Sequence, residues 1–320
     1  MNRRRLLTAL PAALLAVACC AQAGGVTWKH LSSKNGDLPA PNAGTEQTSA
    51  AVFDIDRDGV NDFVITERTA APAVLWYRRG PAGWTRYVLE DAPLRLEAGS
   101  CAYDVDGGGD LDVVAGGDAG SNQIWWWENP YPKFKPSVPW KRHLIKTSGV
   151  TKHHDQIFGD FDGDGAEEFV FWNQNARALF LAEIPPDPRY SGPWPFTEIY
   201  AYSADSQPEQ RGKPAGFKGV NEHEGLAQAD IDGDGNLDIF CAEMRLNGGN
   251  PDAKIYLLLG DGNGTFRTTV VDTGFDNHES KIADLDGNGT PDVLGKPYNW
   301  DTPRLEIWLN PAPPRKGGIR

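Results

Sequence analysis

Apolar residues along this chain come in short runs, each closed by an Asp/Gly-rich turn, and the same order of runs recurs. A small-and-apolar stretch such as Ser49-Ala50-Ala51-Val52-Phe53 or Gly225-Leu226-Ala227-Gln228-Ala229 precedes each turn. A β-branched stretch such as Phe63-Val64-Ile65 or Leu237-Asp238-Ile239-Phe240 follows it. A third run alternates, as in Ala73-Val74-Leu75-Trp76-Tyr77, Gln123-Ile124-Trp125-Trp126-Trp127, Lys254-Ile255-Tyr256-Leu257-Leu258 and Arg304-Leu305-Glu306-Ile307-Trp308. A fourth reads Trp84-Thr85-Arg86-Tyr87-Val88, Trp140-Lys141-Arg142-His143-Leu144 and Phe266-Arg267-Thr268-Thr269-Val270. Period-2 alternation in segments of this length predicts four short strands per unit.

The turns themselves repeat as DxDxDGxxD. Full copies are Asp54-Asp56-Asp58-Gly59-Asp62, Asp160-Asp162-Asp164-Gly165-Glu168 and Asp230-Asp232-Asp234-Gly235-Asp238. Two copies are degenerate: Asp104-Asp106-Gly108-Gly109-Asp112 has Gly at the third acidic place, and Asp284-Asp286-Asn288-Gly289-Asp292 has Asn there. Five repeats of four strands predict an all-β chain, a β-propeller of five four-stranded blades. The fifth unit has only three strand patterns before Asn310-Pro311-Ala312-Pro313-Pro314, while Val26-Thr27-Trp28-Lys29-His30-Leu31 has the fourth-strand pattern and no unit of its own. Pairing this N-terminal strand with the last blade closes the ring and leaves no open edge. An open array of repeats is the alternative, but it gives that strand no purpose.

Composition agrees. Gly 36 and Pro 24 in 320 residues, with only two Met, argue against helical bundles and coiled coils. Net charge −13, without a basic cluster, sets nucleic acid aside as a partner.

Carboxylates at alternate positions 1, 3 and 5, a Gly at 6 for the sharp turn and an acid at 9 suit a hard cation that takes six to eight oxygens. The candidate ligands are Asp54, Asp56, Asp58 and Asp62; Asp104, Asp106 and Asp112; Asp160, Asp162, Asp164 and Glu168; Asp230, Asp232, Asp234 and Asp238; and Asp284, Asp286, Asn288 and Asp292. Three to five structural Ca²⁺ ions are expected, the turn of the second unit being the weakest because it lacks the third side chain. The competing reading of any one turn is an Asp/Gly loop that satisfies its own backbone. All ligands come from one local turn, which leaves no open position facing a substrate.

With these loops and the segment Gly260-Asp261-Gly262-Asn263-Gly264-Thr265-Phe266, the sequence resembles the FG-GAP/VCBS repeat family over residues 26 to 310. The resemblance implies a calcium-loop propeller like the head of integrin α-subunits and many exported bacterial proteins. Known members are mostly seven-bladed, where this chain has repeats for five. Relatives such as the propeller of aldos-2-ulose dehydratase and certain polysaccharide lyases act on sugars, which implies a carbohydrate lyase or dehydratase if this chain is an enzyme.

The first 23 residues read as a signal peptide: Arg3-Arg4-Arg5, an apolar stretch from Leu6 to Ala18, and Ala21-Gln22-Ala23 before the cut. Export to the periplasm or the extracellular space follows, with residues 24–320 as a single propeller domain and no transmembrane segment in the mature chain. A twin-arginine route (Arg4-Arg5) and a lipoprotein anchor at Cys19 are the lesser variants. The leader removes three Arg and no acid, taking −13 to −16. Cys101 and Cys241 remain, in non-adjacent units, and are expected to be free thiols.

If each first strand lines the channel and runs toward its turn, residues six to eight places upstream sit about 20 Å away, at the opposite mouth. Those places hold Glu46, Glu97, His153, His154, Glu222, His223, Glu224, His278 and Glu279; loops between second and third strands bring Glu67, Arg68, Asn173, Gln174, Arg177, Glu243, Arg245, Lys296, Tyr298, Asn299 and Trp300 to the same face. Such a set suits a carbohydrate or another small ligand, or a protein partner. In the catalytic reading His154, His223 or His278 moves a proton, Glu224 or Glu279 orients it or binds a second metal, and Arg245, Lys296 or Tyr298 steadies negative charge. In the other reading the same face recognises a glycan or protein without chemistry. The insertion Ser203 to Asn221 is either a wall over this mouth or a surface loop.

Overall fold

The computed structural model describes residues 31, 33–190, 192–201, 220–246, 253–275, 277, 280–283, 288–295 and 306–311. It is all-β: five antiparallel sheets, the blades of a five-bladed propeller, with no α-helix among the described residues. Blade 1 comprises β1 (Gln47–Phe53), β2 (Asp62–Glu67), β3 (Val74–Gly80) and β4 (Gly83–Glu90), and blade 2 comprises β5 (Cys101–Tyr103), β6 (Asp112–Gly116), β7 (Ile124–Glu128) and β8 (Lys141–Lys146). Blade 3 comprises β9 (His153–Gly159), β10 (Glu168–Asn173), β11 (Ala178–Glu183) and β12 (Thr197–Ala201), and blade 4 comprises β13 (Val220–Ala229), β14 (Asp238–Leu246), β15 (Lys254–Gly260) and β16 (Phe266–Thr273). In blade 5, β17 (Lys281–Ala283), β18 (Asp292–Gly295) and β19 (Glu306–Trp308) are described. Residues 26–30 of the proposed closing strand, the leader and most of the 203–221 insertion lie outside the described residues.

Each blade runs as a meander from its first strand outward. First strands of successive blades touch: β1 meets β5, β5 meets β9, β9 meets β13 and β13 meets β17.

The apolar core lies in the seams between blades. The period of two along a strand throws successive side chains onto opposite faces, and each face of a blade meets a neighbour. Trp125 and Trp127 accordingly pack toward blade 1 with Trp76 and Trp140, while Trp126 packs toward blade 3 with Phe158, Phe169 and Trp194. Val170 and Trp172 turn the other way, against Ile239, Cys241, Tyr256 and Leu258 of blade 4. Phe240, Ala242 and Ile255 then meet Val293 of blade 5. This explains why second strands read as unbroken hydrophobic runs: both faces are covered. Cys101 and Cys241 are free thiols, as their separation implies.

β13 begins at Val220, so Glu222, His223 and Glu224 lie in the half of a long first strand that is far from its turn, in register with Met244, Glu243 and Ala242. The partner strand β14 is extended equally, and backbone pairing continues past the point where the shorter blades end.

Candidate functional site

The first strands place two kinds of chemistry at opposite ends. β9 opens with His153-His154 and ends at Gly159, immediately before the acidic turn at Asp160. At ~3.3 Å per residue, about 20 Å of channel separates them.

At the turn end, carboxylate oxygens of Asp160, Asp162, Asp164 and Glu168 all lie within 4.8 Å of one another, as do those of Asp54, Asp56 and Asp58 and those of Asp230, Asp232 and Asp234. In blade 2 the third member is Asp110, with Asp104 and Asp106, in place of the missing acid at Gly108. Four of these clusters contain a buried carboxylate oxygen without a hydrogen-bond partner: Asp56 Oδ1, Asp104 Oδ1, Glu168 Oε1 and Asp230 Oδ1. Converging, orphaned anionic oxygens fit a hard cation.

The ninth-position acids mostly do something else. Asp62 accepts from Trp76 Nε1 at 2.9 Å and from the Arg79 amide at 2.6 Å. Asp112 accepts the amides of Val105 (3.0 Å) and Asn129 (2.8 Å), and Asp238 those of Ile231 (2.7 Å) and Gly260 (2.9 Å). Asp292 takes the amide of Asn310 at 2.7 Å. These buried side chains splice the turn to the end of the third strand. Burial, aided by neighbouring acids and opposed by the backbone donors, pushes Asp62 up to about 6, Asp112 to about 8 and Glu168 to about 7. In blades 1 and 2, Arg78 and Arg189 ion-pair with Asp56 and Asp106. In blade 5, Asn288 Oδ1 accepts the Thr290 amide at 2.8 Å; Asp284 and Asp286 are outside the described residues.

At the other mouth, Arg68 reaches out from the end of β2. It pairs with Glu97, with Glu46 at 3.3 Å and with Asp118 at 3.5 Å, and Arg95 holds Asp118 at 3.0 Å. Burial raises the pKa of Glu97 even though His154 and Arg68 oppose it. Glu67 and Glu243, expected at this face, are instead tied into their own hairpins: Glu67 accepts the Thr69 amide at 2.7 Å, and Glu243 accepts from Tyr256 Oη at 2.7 Å and the Lys254 amide at 3.1 Å. Asn173 does likewise, accepting the Ala176 amide at 2.9 Å.

The two histidines of β9 diverge. His153 is fully buried with Nδ1 3.0 Å from the Gly117 carbonyl, and burial, helped by Lys146, lowers its pKa to about 3. His154 Nδ1 lies 3.0 Å from Asp155 Oδ2, an oxygen that also accepts the Gly225 amide at 3.0 Å. Burial would raise Asp155, but His154, Lys281 and the Gly225 amide outweigh it and hold the carboxyl low. Asp155 therefore bridges blades 3 and 4.

Inside this mouth an open cavity of about 170 Å³ is lined by residues of all five blades. Ser49, Ser100, Asp155, Gln156, Leu226 and Lys281 line it. No motif singled out Asp155, Gln156 or Lys281, and Asp155 had one usable signal: it stands five places before its turn, where blades 2 and 4 have Gly99 and Gly225. Of the other candidates, His223, Glu224 and Arg245 are placed by backbone register only, Asn221 being paired with Arg245. His278, Glu279, Lys296 and Tyr298 lie outside the described residues.

The FG-GAP-like repeat family matches the chain over residues 104–171 and 230–295, in each case from the first Asp of a turn into the second strand of the next blade. Curated protein sequences yield no match. Among solved structures, the endo-arabinase from Bacteroides thetaiotaomicron VPI-5482 is 14% identical, with a TM-score of 0.45, over 82% of this chain and 94% of that one. The V. cholerae biofilm matrix protein Bap1 is also 14% identical, with a TM-score of 0.39, over 76% of this chain and 42% of that one.

Proposed function

The chain is a β-propeller of the FG-GAP repeat family, and on that footing we propose that it binds a carbohydrate at the channel mouth opposite its acidic turns, with His154 as the group that moves a proton there. The observation that supports this reading is the 3.0 Å contact between His154 Nδ1 and Asp155. A carboxylate on Nδ1 selects the tautomer that leaves Nε2 as the base. In an elimination, Nε2 takes the proton from the carbon beside a carbonyl or carboxylate, and the bond to the β-oxygen breaks. In this scheme water at the mouth protonates the departing oxygen. His223, Glu224, His278, Glu279, Arg245, Lys296 and Tyr298 belong to this proposal by register and sequence position.

Calcium in the acidic turns is part of the same proposal, as a structural ion that relieves repulsion among their acids. So is export by the leader.

A second reading, recognition of a glycan or protein without chemistry, is favoured by one observation. Arg68 and Arg95 are committed to carboxylates and so are not available to steady an enolate. Incubation with polysaccharides and keto-sugars, monitored for an ultraviolet-absorbing unsaturated product, separates the two. Catalysis predicts that His154→Ala loses turnover by at least ~100-fold while keeping ligand retention. Retention by the wild type with no product from any substrate leaves recognition.

A further inference from the structure

One place in the blade carries opposite charges in different blades. Strand pairing sets Glu183 directly across from Glu168, the ninth-position acid of blade 3. In blade 1 the same place, one step beyond the Phe63–Tyr77 pair, is Arg78 across from Asp62. One step beyond Val113–Trp127 it is Glu128 in blade 2, and one step beyond Ile239–Leu258 it is Leu259 in blade 4. The sheet requires only a paired backbone there, so the side chain can differ from blade to blade, and it differs in what it presents to the acidic turn.

In blade 1 a cation is built in: Arg78 ion-pairs with Asp56, whose side chain is 2% exposed. Blade 2 reaches the same end by another route. Arg189, from the long connection between β11 and β12, pairs with the buried Asp106 and, at 3.0 Å, with Glu128. A guanidinium from outside the turn thus holds the third-position carboxylate in both blades. Asp56 Oδ1 and Asp104 Oδ1 stay unmet, so these turns keep an oxygen for an ion, but beside a fixed positive charge. Blade 3 is the reverse. Asp162 Oδ1 accepts the Asp164 amide at 3.1 Å, and among the described residues no Lys or Arg pairs with any of the four acids. Glu168 is fully buried with Oε1 unmet, within 4.8 Å of oxygens of Asp160, Asp162 and Asp164, and it faces a further acid in Glu183. Like charges directly opposite on a sheet destabilise it unless something offsets them. Affinity for a divalent ion rises with the number of charged ligands and falls where a neighbouring cation opposes it.

We propose that these outside charges grade the acidic turns. Arg78 and Arg189 act as resident counter-cations that keep the turns of blades 1 and 2 ordered without a bound ion, whereas the turn of blade 3, with Glu183 added to its acids, is the tight divalent-cation site and depends on its ion. The inference rests on the reading of the turns as calcium sites. It adds which of these turns fills first, and it gives a role to three residues that stand outside every DxDxDGxxD repeat.

The test uses the full chain, stripped of divalent ions by a chelator and titrated with Ca²⁺. Amide hydrogen exchange is read separately over residues 54–62, 104–112 and 160–168, with β6 and β10 as monitors of the fold. Stripping should speed exchange at least ~10-fold over 160–168 and less than ~3-fold over the other two turns, and Ca²⁺ should restore 160–168 at a concentration at least ~10-fold below any effect on the others. Arg78→Gln should make 54–62 as sensitive to stripping as 160–168, and Arg78→Lys, which keeps the charge, should not. Glu183→Gln should raise the Ca²⁺ needed at 160–168 by at least ~3-fold. Should Arg78→Gln lose protection in β6 and β10, Arg189→Gln, read over 104–112, carries the same expectation. Equal responses of the three turns in the wild type, or a first turn that stays protected in stripped Arg78→Gln, would overturn the grading and leave the calcium reading in place. If Ca²⁺ changes exchange at no turn of any variant, the calcium reading fails and the grading with it.

Discussion

His153 and His154 are adjacent in sequence and opposite in character. His153 packs beneath the Gly116-Gly117 end of β6, where the absent Cβ of Gly116 leaves room for its own Cβ and for Gln156, and its ring keeps one proton on Nδ1 for the Gly117 carbonyl. With its pKa depressed from 6.5 to about 3, the neutral form is the folded one. Its stability contribution is therefore complete above pH 6.5 and is lost as the pH falls from 6.5 toward 3, at up to ~1.4 kcal/mol per pH unit. His153→Asn keeps a donor for Gly117 and cannot titrate. Its Tm should fall less steeply than that of the wild type between pH 6.5 and 4; equal slopes in the two proteins would show that His153 is not the group responsible. The residues with chemistry were visible as types in the sequence, but which histidine is core and which is site was not. Successive residues of a strand face opposite ways, and a bulge after His154 resets that alternation. The same limit applied to Glu67 and Glu243, which no motif distinguishes from ligand-facing acids and which turn back to cap their own hairpins.

At the scale of elements, the acidic turn is the unit that the repeats made legible. Positions 1, 3 and 5 of blades 1, 3 and 4 converge as their spacing requires, because a tight loop turning on one glycine brings alternate side chains to one centre. The ninth position was less legible: in blades 1, 2 and 4 it faces inward and holds backbone amides. Nor did spacing identify Asp110 as the third acid of blade 2. Removing divalent ions with a chelator is expected to lower the Tm by at least ~5 °C, with recovery on adding Ca²⁺ in excess. Asp160→Ala, in the turn whose four acids converge, should abolish most of one site's share. An unchanged Tm after chelation would mean that the turns are metal-free and self-satisfied. Among strands, β12 of blade 3 was counted only by analogy, since Thr197–Ala201 carries no alternating apolar pattern; its inner neighbour β11 supplies the hydrophobic face.

For the whole molecule, closure of the ring is the property on which the site depends, since residues of all five blades line the cavity. Described blade 5 has three strands, and Ile307 and Leu309 are 56% and 54% exposed on its outer side. The 26–31 segment is the strand expected to complete it. Deleting residues 24–31 should broaden or split the thermal transition and lower its midpoint by more than ~5 °C, and a synthetic peptide of that segment should restore part of the loss. A deletion that unfolds like the full chain would remove this strand from the ring. The five units, their strand order, the acidic turns and the opposition of turns to histidines were all determined by sequence alone, because they rest on periodicities and spacings of a few residues that local backbone geometry enforces. Only the tertiary structure decided that the core lies between blades, that Asp155 takes a left-handed bulge, and that residues from five distant segments line one cavity. Those facts depend on which faces meet across the ring, and contacts between segments 50 or more residues apart leave no local period in the chain.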